Sequence, residues 1–141
     1  MKIVQLSIFV ENREGRLADI MAILAEAKIN IRALSLADTA DFGVLRMIVD
    51  TPDKAITFLK SKDVVVKTTD IIAVEVEDQP GGLAKVLNVF KNAKINIEYM
   101  YAFVEKNNSN AVMVFRVEKP EEAIKKIIGV KILKAEDVYK L

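Results

Sequence analysis

The chain of 141 residues contains no cysteine and no histidine. These absences exclude disulfides, thiolate nucleophiles and imidazole bases, and they remove two of the commonest ligands of soft and borderline metals. Most familiar catalytic triads are excluded in the same way. The absence of cysteine alone fits a reducing, an oxidising or a hot environment equally well.

The sequence also lacks an excess of charge and long apolar runs. Twenty-one Lys and Arg face twenty Asp and Glu, so the net charge of +1 offers no large field for phosphates or anionic lipids. The longest apolar run, residues 20–25, is far shorter than the ~20 residues of a membrane-spanning helix. The first residues alternate apolar and polar side chains, unlike a signal peptide. We therefore expect a cytoplasmic protein with neither a nucleic-acid nor a membrane partner.

What the sequence does contain is an internal repeat. A shift of 66 residues aligns residues 6–31 with 72–97 without a gap, and 10 of the 26 pairs are identical. The identical pairs include Gly15 with Gly81 and the block AKINI at residues 27–31 and 93–97. Each repeat is therefore about 66 to 68 residues long, and the second copy checks predictions made from the first.

Each repeat predicts the order βαββαβ. In the first copy, alternation predicts a strand over residues 3–10, and apolar spacings of three and four predict a helix from Leu17. Later segments predict a β-hairpin, a helix beginning at Pro52, or at Pro120 in the second copy, and a last strand. The predicted fold class is α+β, with two tandem ferredoxin-like units. Each unit is an antiparallel four-stranded sheet with two helices on one face.

The predicted domains are residues 1–69 and 70–141. The last residues, 137–139, align with the region around Asp70, where the second repeat begins. This alignment predicts a short extended segment that docks on the first domain or on a second chain.

The turn before the first helix of each repeat is the candidate binding site. A helix N-terminus presents free N–H groups and the positive end of a dipole, which suit a carboxylate. Gly15 and Gly81 stand just before these helices, where a residue without Cβ allows positive φ and close approach. Asn12 can contact a carboxylate or an ammonium group, whereas Asp78 favours an ammonium, so the two sites should differ.

Simpler roles are open for the same residues. The two glycines can be ordinary turn glycines. Asn12 and Asp78 can be helix N-caps, which is compatible with ligand binding. Asn30 can make a hydrogen bond at the entrance of its strand.

The motif of residues 11–17, ENREGRL, and its copy at residues 77–83, EDQPGGL, resemble the turn of the ACT domain, a small regulatory module that binds amino acids. The whole chain is similar to small stand-alone tandem ACT proteins, and the two predicted domains are the two ACT domains. The resemblance implies a ligand between the turn of one unit and the second strand of a neighbouring unit. The implied contacts are Asn12, Gly15, Arg16, Leu17, Asn30 and Ile31 in the first repeat, and Asp78, Pro80, Gly81, Gly82, Leu83, Asn96 and Ile97 in the second.

Tyr99 is a further candidate, on the second strand of the second repeat. It can line a pocket for the ligand side chain, although packing at an interface is the simpler role of a tyrosine.

The resemblance implies a non-catalytic regulatory protein that senses a free amino acid and modulates a partner enzyme or regulator. It implies no catalytic residues, no metal and no cofactor, and the expected partners are a free amino acid, a second copy in a homodimer and an amino-acid metabolic enzyme. The alternative is a regulatory or structural subunit of an amino-acid biosynthetic enzyme, in which the units serve mainly as assembly surfaces. RNA recognition uses the same element order but needs a third-strand aromatic platform, which VLRMIV and AVMVFRV do not supply.

Overall fold

A computed structural model describes residues 2–38, 41–105 and 109–141. The chain forms two compact units. One is Val4–Thr69, and the other is Asp70–Leu141 together with Lys2 and Ile3. Both have the order βαββαβ, so the predicted α+β class with ferredoxin-like units is confirmed.

The first unit is built from three strands, two helices and the start of a fourth strand. Its elements are β1 (Ile3–Glu11), α1 (Arg16–Glu26), β2 (Ile31–Asp38), β3 (Phe42–Val49) and α2 (Pro52–Ser61). Strand β3 pairs antiparallel with both β1 and β2. Residues 66–69 open strand β4, and the Lys67 ammonium lies 5.7 Å from the ring centroid of Phe9 on β1.

The core of the first unit follows from the alternation of β1. Leu6, Ile8 and Val10 are buried and pack in one cluster with Ile20 and Leu24 of α1. The two helical residues are four positions apart and therefore share one face of the helix. Each of these side chains contributes roughly 1.5–3 kcal/mol by leaving water.

The second unit repeats this plan with one additional short helix. Its elements are β4 (Val66–Glu77), α3 (Gly82–Asn92), β5 (Tyr99–Ala102), β6 (Asn110–Arg116), α4 (Pro120–Lys126), β7 (Lys131–Ile132) and α5 (Ala135–Val138). Strand β6 pairs antiparallel with β4 and β5, and β7 pairs with β4 over two residues. The rings of Phe90 on α3 and Phe115 on β6 lie 5.0 Å apart in the core.

The repeated AKINI block is explained by how α1 and α3 end. Lys28 has φ of 58°, its N–H bonds to the carbonyl of Ala25, and the N–H of Ile29 bonds to that of Leu24. This pair of bonds defines a Schellman motif. Lys94 and Ile95 form the same bonds after α3, with φ of 58° at Lys94. The block is therefore a duplicated helix terminus.

The C-terminal segment differs from the sequence prediction. Residues 135–138 form helix α5, so the prediction of an extended segment is wrong there. The N–H groups of Asp137 and Val138 bond to the carbonyl of Lys134, which satisfies them locally. In the part of the chain that the structure describes, every helix is too short or too polar to cross a membrane.

Candidate functional site

Both predicted turns lead into a helix through a glycine in the left-handed conformation. Gly15 has φ of 79° and ψ of −12°, and Gly81 has φ of 85° and ψ of −8°. The predicted positive φ is therefore confirmed at both positions. Because these glycines are the N-caps, and neither helix has a side-chain cap bond, the alternative that Asn12 and Asp78 cap the helices is wrong.

The glycine caps leave the first turn of each helix accessible. In α1, the N–H of Arg16 bonds to the carbonyl of Arg13 and that of Asp19 bonds to the carbonyl of Gly15. The amides of Leu17 and Ala18 lie between them, and no side chain of the described residues caps this turn. A Cβ placed on either glycine would meet nothing within 4 Å. Each helix therefore has uncapped first-turn N–H groups next to a glycine with open space at its Cβ position, and such N–H groups suit an anion.

The first turn carries a carboxylate that already has cationic partners. Arg13 Nε lies 2.8 Å from Glu11 Oε2, and Arg16 Nε lies 3.9 Å from Glu11 Oε1. The hydrogen bond from Arg13 and its charge hold the pKa of Glu11 below its ordinary value. A ligand ammonium would compete with these arginines for Glu11.

Beside this turn lies a pocket of about 380 Å³. It is lined by Val10, Glu11, Asn12, Arg13, Leu17, Leu36 and Gly43. The structure thus brings the predicted residues Asn12 and Leu17 together, while Gly15 and Arg16 do not line this pocket. The N–H of Asn12 donates to the carbonyl of Asp41, at 3.1 Å, which fixes the turn against the start of β3.

The second turn has a different charge pattern. Glu77 accepts a hydrogen bond from Gln79 Nε2 at 2.5 Å, and Lys85 Nζ lies 4.0 Å from it. Asp78 and Pro80 are exposed, and Leu83 packs partly buried against the core.

Gly82 has a packing role that the sequence did not reveal. A Cβ there would lie 2.0 Å from the carbonyl oxygen of Glu77. The residue must therefore be glycine for α3 to begin so close to the end of β4.

A pocket of about 360 Å³ adjoins the second turn, on the β7 side. Its lining is Glu75, Glu77, Gly82, Lys85, Val86, Val89, Asn110, Gly129, Val130 and Lys131. Sequence reasoning identified only Gly82 among these residues. Glu75 was missed, although a charged residue inside the apolar run IIAVEVE was a visible signal.

The predicted facing residues of the first repeat lie at the opposite end of the same unit. Strand β3 runs from Phe42, opposite Glu11, to Val49, opposite Ile31. Seven strand steps separate these ends by about 24 Å. Asn30 makes hydrogen bonds with Asp50 through its main chain, and its side chain is exposed. Within one unit, Asn30 and Ile31 therefore do not meet the turn.

The second repeat shows the same separation. Asn96 and Ile97 precede β5, and Tyr99 pairs with Arg116, whereas the turn lies beside Asn110 at the other end of β6. Asn96 lines a separate pocket of about 450 Å³, and Tyr99 is half-buried.

Comparisons with known proteins agree with this architecture. The profile of a family described as an ACT domain pair matches residues 1–140. Protein BT0572 from Bacteroides thetaiotaomicron is 43% identical, with a TM-score of 0.92 over 100% of this chain and 98% of that one.

More distant structures share the fold. The ligand-free regulatory subunit of aspartate kinase from Thermus thermophilus is 15% identical, with a TM-score of 0.62 over 88% of this chain and 89% of that one. The regulatory subunit of aspartate kinase from Thermus flavus is 16% identical, with a TM-score of 0.60 over 97% of this chain and 90% of that one. No curated protein shows a significant match.

Proposed function

The chain belongs to the ACT domain pair family, and from this premise we propose that it is a non-catalytic regulatory protein that binds a free amino acid. Residues 1–69 and 70–141 are the two proposed ACT domains. The observation that carries the proposal is the pair of glycine-capped helices, which have no side-chain cap bond and have open space where each capping glycine would carry a Cβ. The proposed site of action is the cytoplasm, on a partner enzyme or regulator.

The chemistry of the turns fits a zwitterion. A carboxylate would accept hydrogen bonds from the first-turn amides of α1 or α3 and interact with the positive end of the helix dipole. In the first repeat, the side-chain oxygen of Asn12 would accept from the ligand ammonium. In the second, the carboxylate of Asp78 would accept from the ammonium.

A complete site of this kind needs a neighbouring unit. Asn30, Ile31, Asn96, Ile97 and Tyr99 lie far from the turn of their own unit, so they would serve the turn of another. We propose that they form the facing wall, and that a homodimer supplies the wall where one chain does not.

A second candidate function is supported by exposed apolar side chains on the first unit. Phe9, Leu36 and Phe42 are each about half exposed. Exposed apolar side chains mark a surface that another protein covers when they lie together in one patch. In this alternative, the chain is a regulatory or structural subunit of an amino-acid biosynthetic enzyme, and its units act mainly in assembly.

The test of amino-acid binding is a charge substitution at the glycine caps. We expect isothermal titration calorimetry with the twenty amino acids to find at least one that binds. Gly81→Asp would place a carboxylate where the ligand carboxylate is expected, and Gly81→Asn is its uncharged match. Both residues tolerate the left-handed conformation.

The variants should differ in affinity although their shapes are nearly the same. We expect Gly81→Asp to bind at least about tenfold more weakly than Gly81→Asn at the second site, the loss of one charge-assisted interaction. Gly15→Asp and Gly15→Asn make the same comparison at the first site. Equal affinities within both pairs, or no amino acid binding below millimolar concentration, would refute the proposal.

A further inference from the structure

The second unit contains a buried carboxylate away from the glycine cap. The side chain of Glu75 is only 4% exposed. Its Oε1 accepts a hydrogen bond from Asn110 Nδ2 at 2.8 Å, and its Oε2 lies 2.8 Å from Lys131 Nζ. Burying a carboxylate is costly unless charges and hydrogen bonds compensate. Lys131 is 66% exposed, so its side chain can shift while another ammonium group takes its place beside Glu75.

The first repeat shows that the fold itself does not require a carboxylate at this position. Phe9 occupies the position of Glu75 in the aligned repeats and is exposed. Phe42 pairs with Glu11 in the first unit as Asn110 pairs with Glu77 in the second. Two aromatic residues therefore stand where the second unit has a buried acid and its amide partner. The buried acid and its amide partner are therefore particular to the second unit.

The pocket around Glu75 combines balanced charge with an apolar wall. Two carboxylates, Glu75 and Glu77, and two ammonium groups, Lys85 and Lys131, line the same space. Balanced charges of this kind favour a molecule that carries one group of each sign and no net charge.

The apolar part of the wall consists of Val86, Val89 and Val130, and the volume of about 360 Å³ admits a small molecule. Strand β7 begins at Lys131, opposite Glu75. The pocket therefore lies where the two-residue ladder between β4 and β7 ends.

We propose that this pocket of the second unit binds a zwitterionic amino acid with a short apolar side chain. Glu75 and Glu77 receive its ammonium group, Lys131 and Lys85 receive its carboxylate, and the valines contact its side chain. The proposal rests on the proposed function only in taking amino acids as the ligand class. All of the pocket's residues come from one unit, so this site needs no neighbouring unit.

The experiment is methyl NMR on the full chain with labelled valine residues. We expect unlabelled valine to shift the methyl signals of Val86, Val89 and Val130 in a saturable manner. Isobutylamine lacks the carboxylate of valine, and 3-methylbutanoate lacks its ammonium. Each should bind at least about tenfold more weakly, because each loses one charged interaction.

Substitutions then test which charged side chains of the pocket contact the ligand. Glu75→Gln should weaken valine binding at least about tenfold, and so should Lys131→Gln. Phe9→Gln, at the matching position of the first repeat, should leave the titration unchanged. If Glu75→Gln or Lys131→Gln fails to fold, Lys85→Gln decides the matter, because Lys85 is 76% exposed and its ion-pair partner Glu77 is exposed as well, so its loss leaves no buried charge unpaired.

The outcomes separate this inference from the proposed function. Methyl signals that do not respond to valine, or that respond equally in the wild type and Lys131→Gln, would overturn the pocket site, whatever calorimetry shows at the glycine caps. Conversely, a methyl response that requires Lys131, together with equal affinities of the Asp and Asn cap variants, would support the pocket site and refute the turn sites.

Discussion

Glu11 and Glu77 occupy the same position of the two repeats but have different neighbours. Glu11 pairs with Arg13 at 2.8 Å and with Arg16 at 3.9 Å, whereas Glu77 accepts a hydrogen bond from the neutral Gln79 and pairs with Lys85 at 4.0 Å. The shared carboxylate thus has two arginine partners in one turn, and a neutral amide and a lysine in the other. This difference is the residue-level reason to expect unequal binding by the two turns.

The ion pair in the first turn predicts a pH dependence. Because the folded-state pKa of Glu11 is lowered by Arg13, its contribution to stability is present above the unfolded-state pKa. That contribution is lost as the pH falls through the folded-state pKa. An NMR titration of Glu11 should therefore give a pKa below that of an ordinary glutamate. Arg13→Gln should raise this pKa, and an unchanged value would show that the pair does not persist in solution.

At the scale of elements, the ends of helices α1 and α3 carry avoidable strain. Lys28 and Lys94 adopt the left-handed conformation, which costs an L-residue roughly 1–2 kcal/mol. Glycine avoids this cost but loses about 0.5–1 kcal/mol in chain entropy. Because the first cost is larger than the second, glycine should make the folded protein slightly more stable at these two positions.

We accordingly expect Lys28→Gly and Lys94→Gly each to raise the free energy of unfolding by about 0.5–1 kcal/mol, as measured by urea denaturation. Lys62→Gly is the negative control, because Lys62 caps α2 with φ of −101° and contacts Glu26 and Phe58, so glycine should be destabilising there. Destabilisation by all three substitutions would show that the left-handed lysines are not strained.

Elements with a local signal could be predicted from the sequence. Pro52 and Pro120 begin helices α2 and α4 because proline supplies the φ of a first helical residue. The alternation of apolar and polar residues in β1 likewise predicted which face of the strand is buried. The C-terminal segment could not be predicted by the repeat, because a helix of four residues depends on its own hydrogen bonds rather than on resemblance to the first strand.

The candidate site was less predictable than the fold. The glycine caps follow from sequence because positive φ strongly favours glycine. The partners of Glu75 do not, because Asn110 and Lys131 come from distant strands that only the sheet register brings together. The distance of Asn30 from its own turn likewise depends on the register of β3.

At the scale of the whole molecule, the two candidate functions predict different responses to a ligand. A sensor must bind its ligand more tightly in one state than in another, so the ligand shifts a population. An assembly subunit need not respond to amino acids at all. The distinction can be made without knowing the partner enzyme.

We expect the amino acid that binds in calorimetry to raise the melting temperature. At a hundredfold excess over its Kd, one site that is absent from the unfolded chain contributes about 2.7 kcal/mol. Differential scanning calorimetry measures this shift, and light scattering in the same samples reports the assembly state. A ligand-independent assembly with no change in melting temperature would favour the scaffold over the sensor.

The substitution of Phe9 by Glu75 between the repeats has a consequence for the dose–response of the chain. The two copies keep the same helix caps and helix ends, while residues outside that shared framework vary. Sites with unlike surroundings saturate at unlike concentrations. A single polypeptide can then follow the supply of a metabolite over a wider range than a pair of identical sites, and either half can be retuned while the other keeps its threshold.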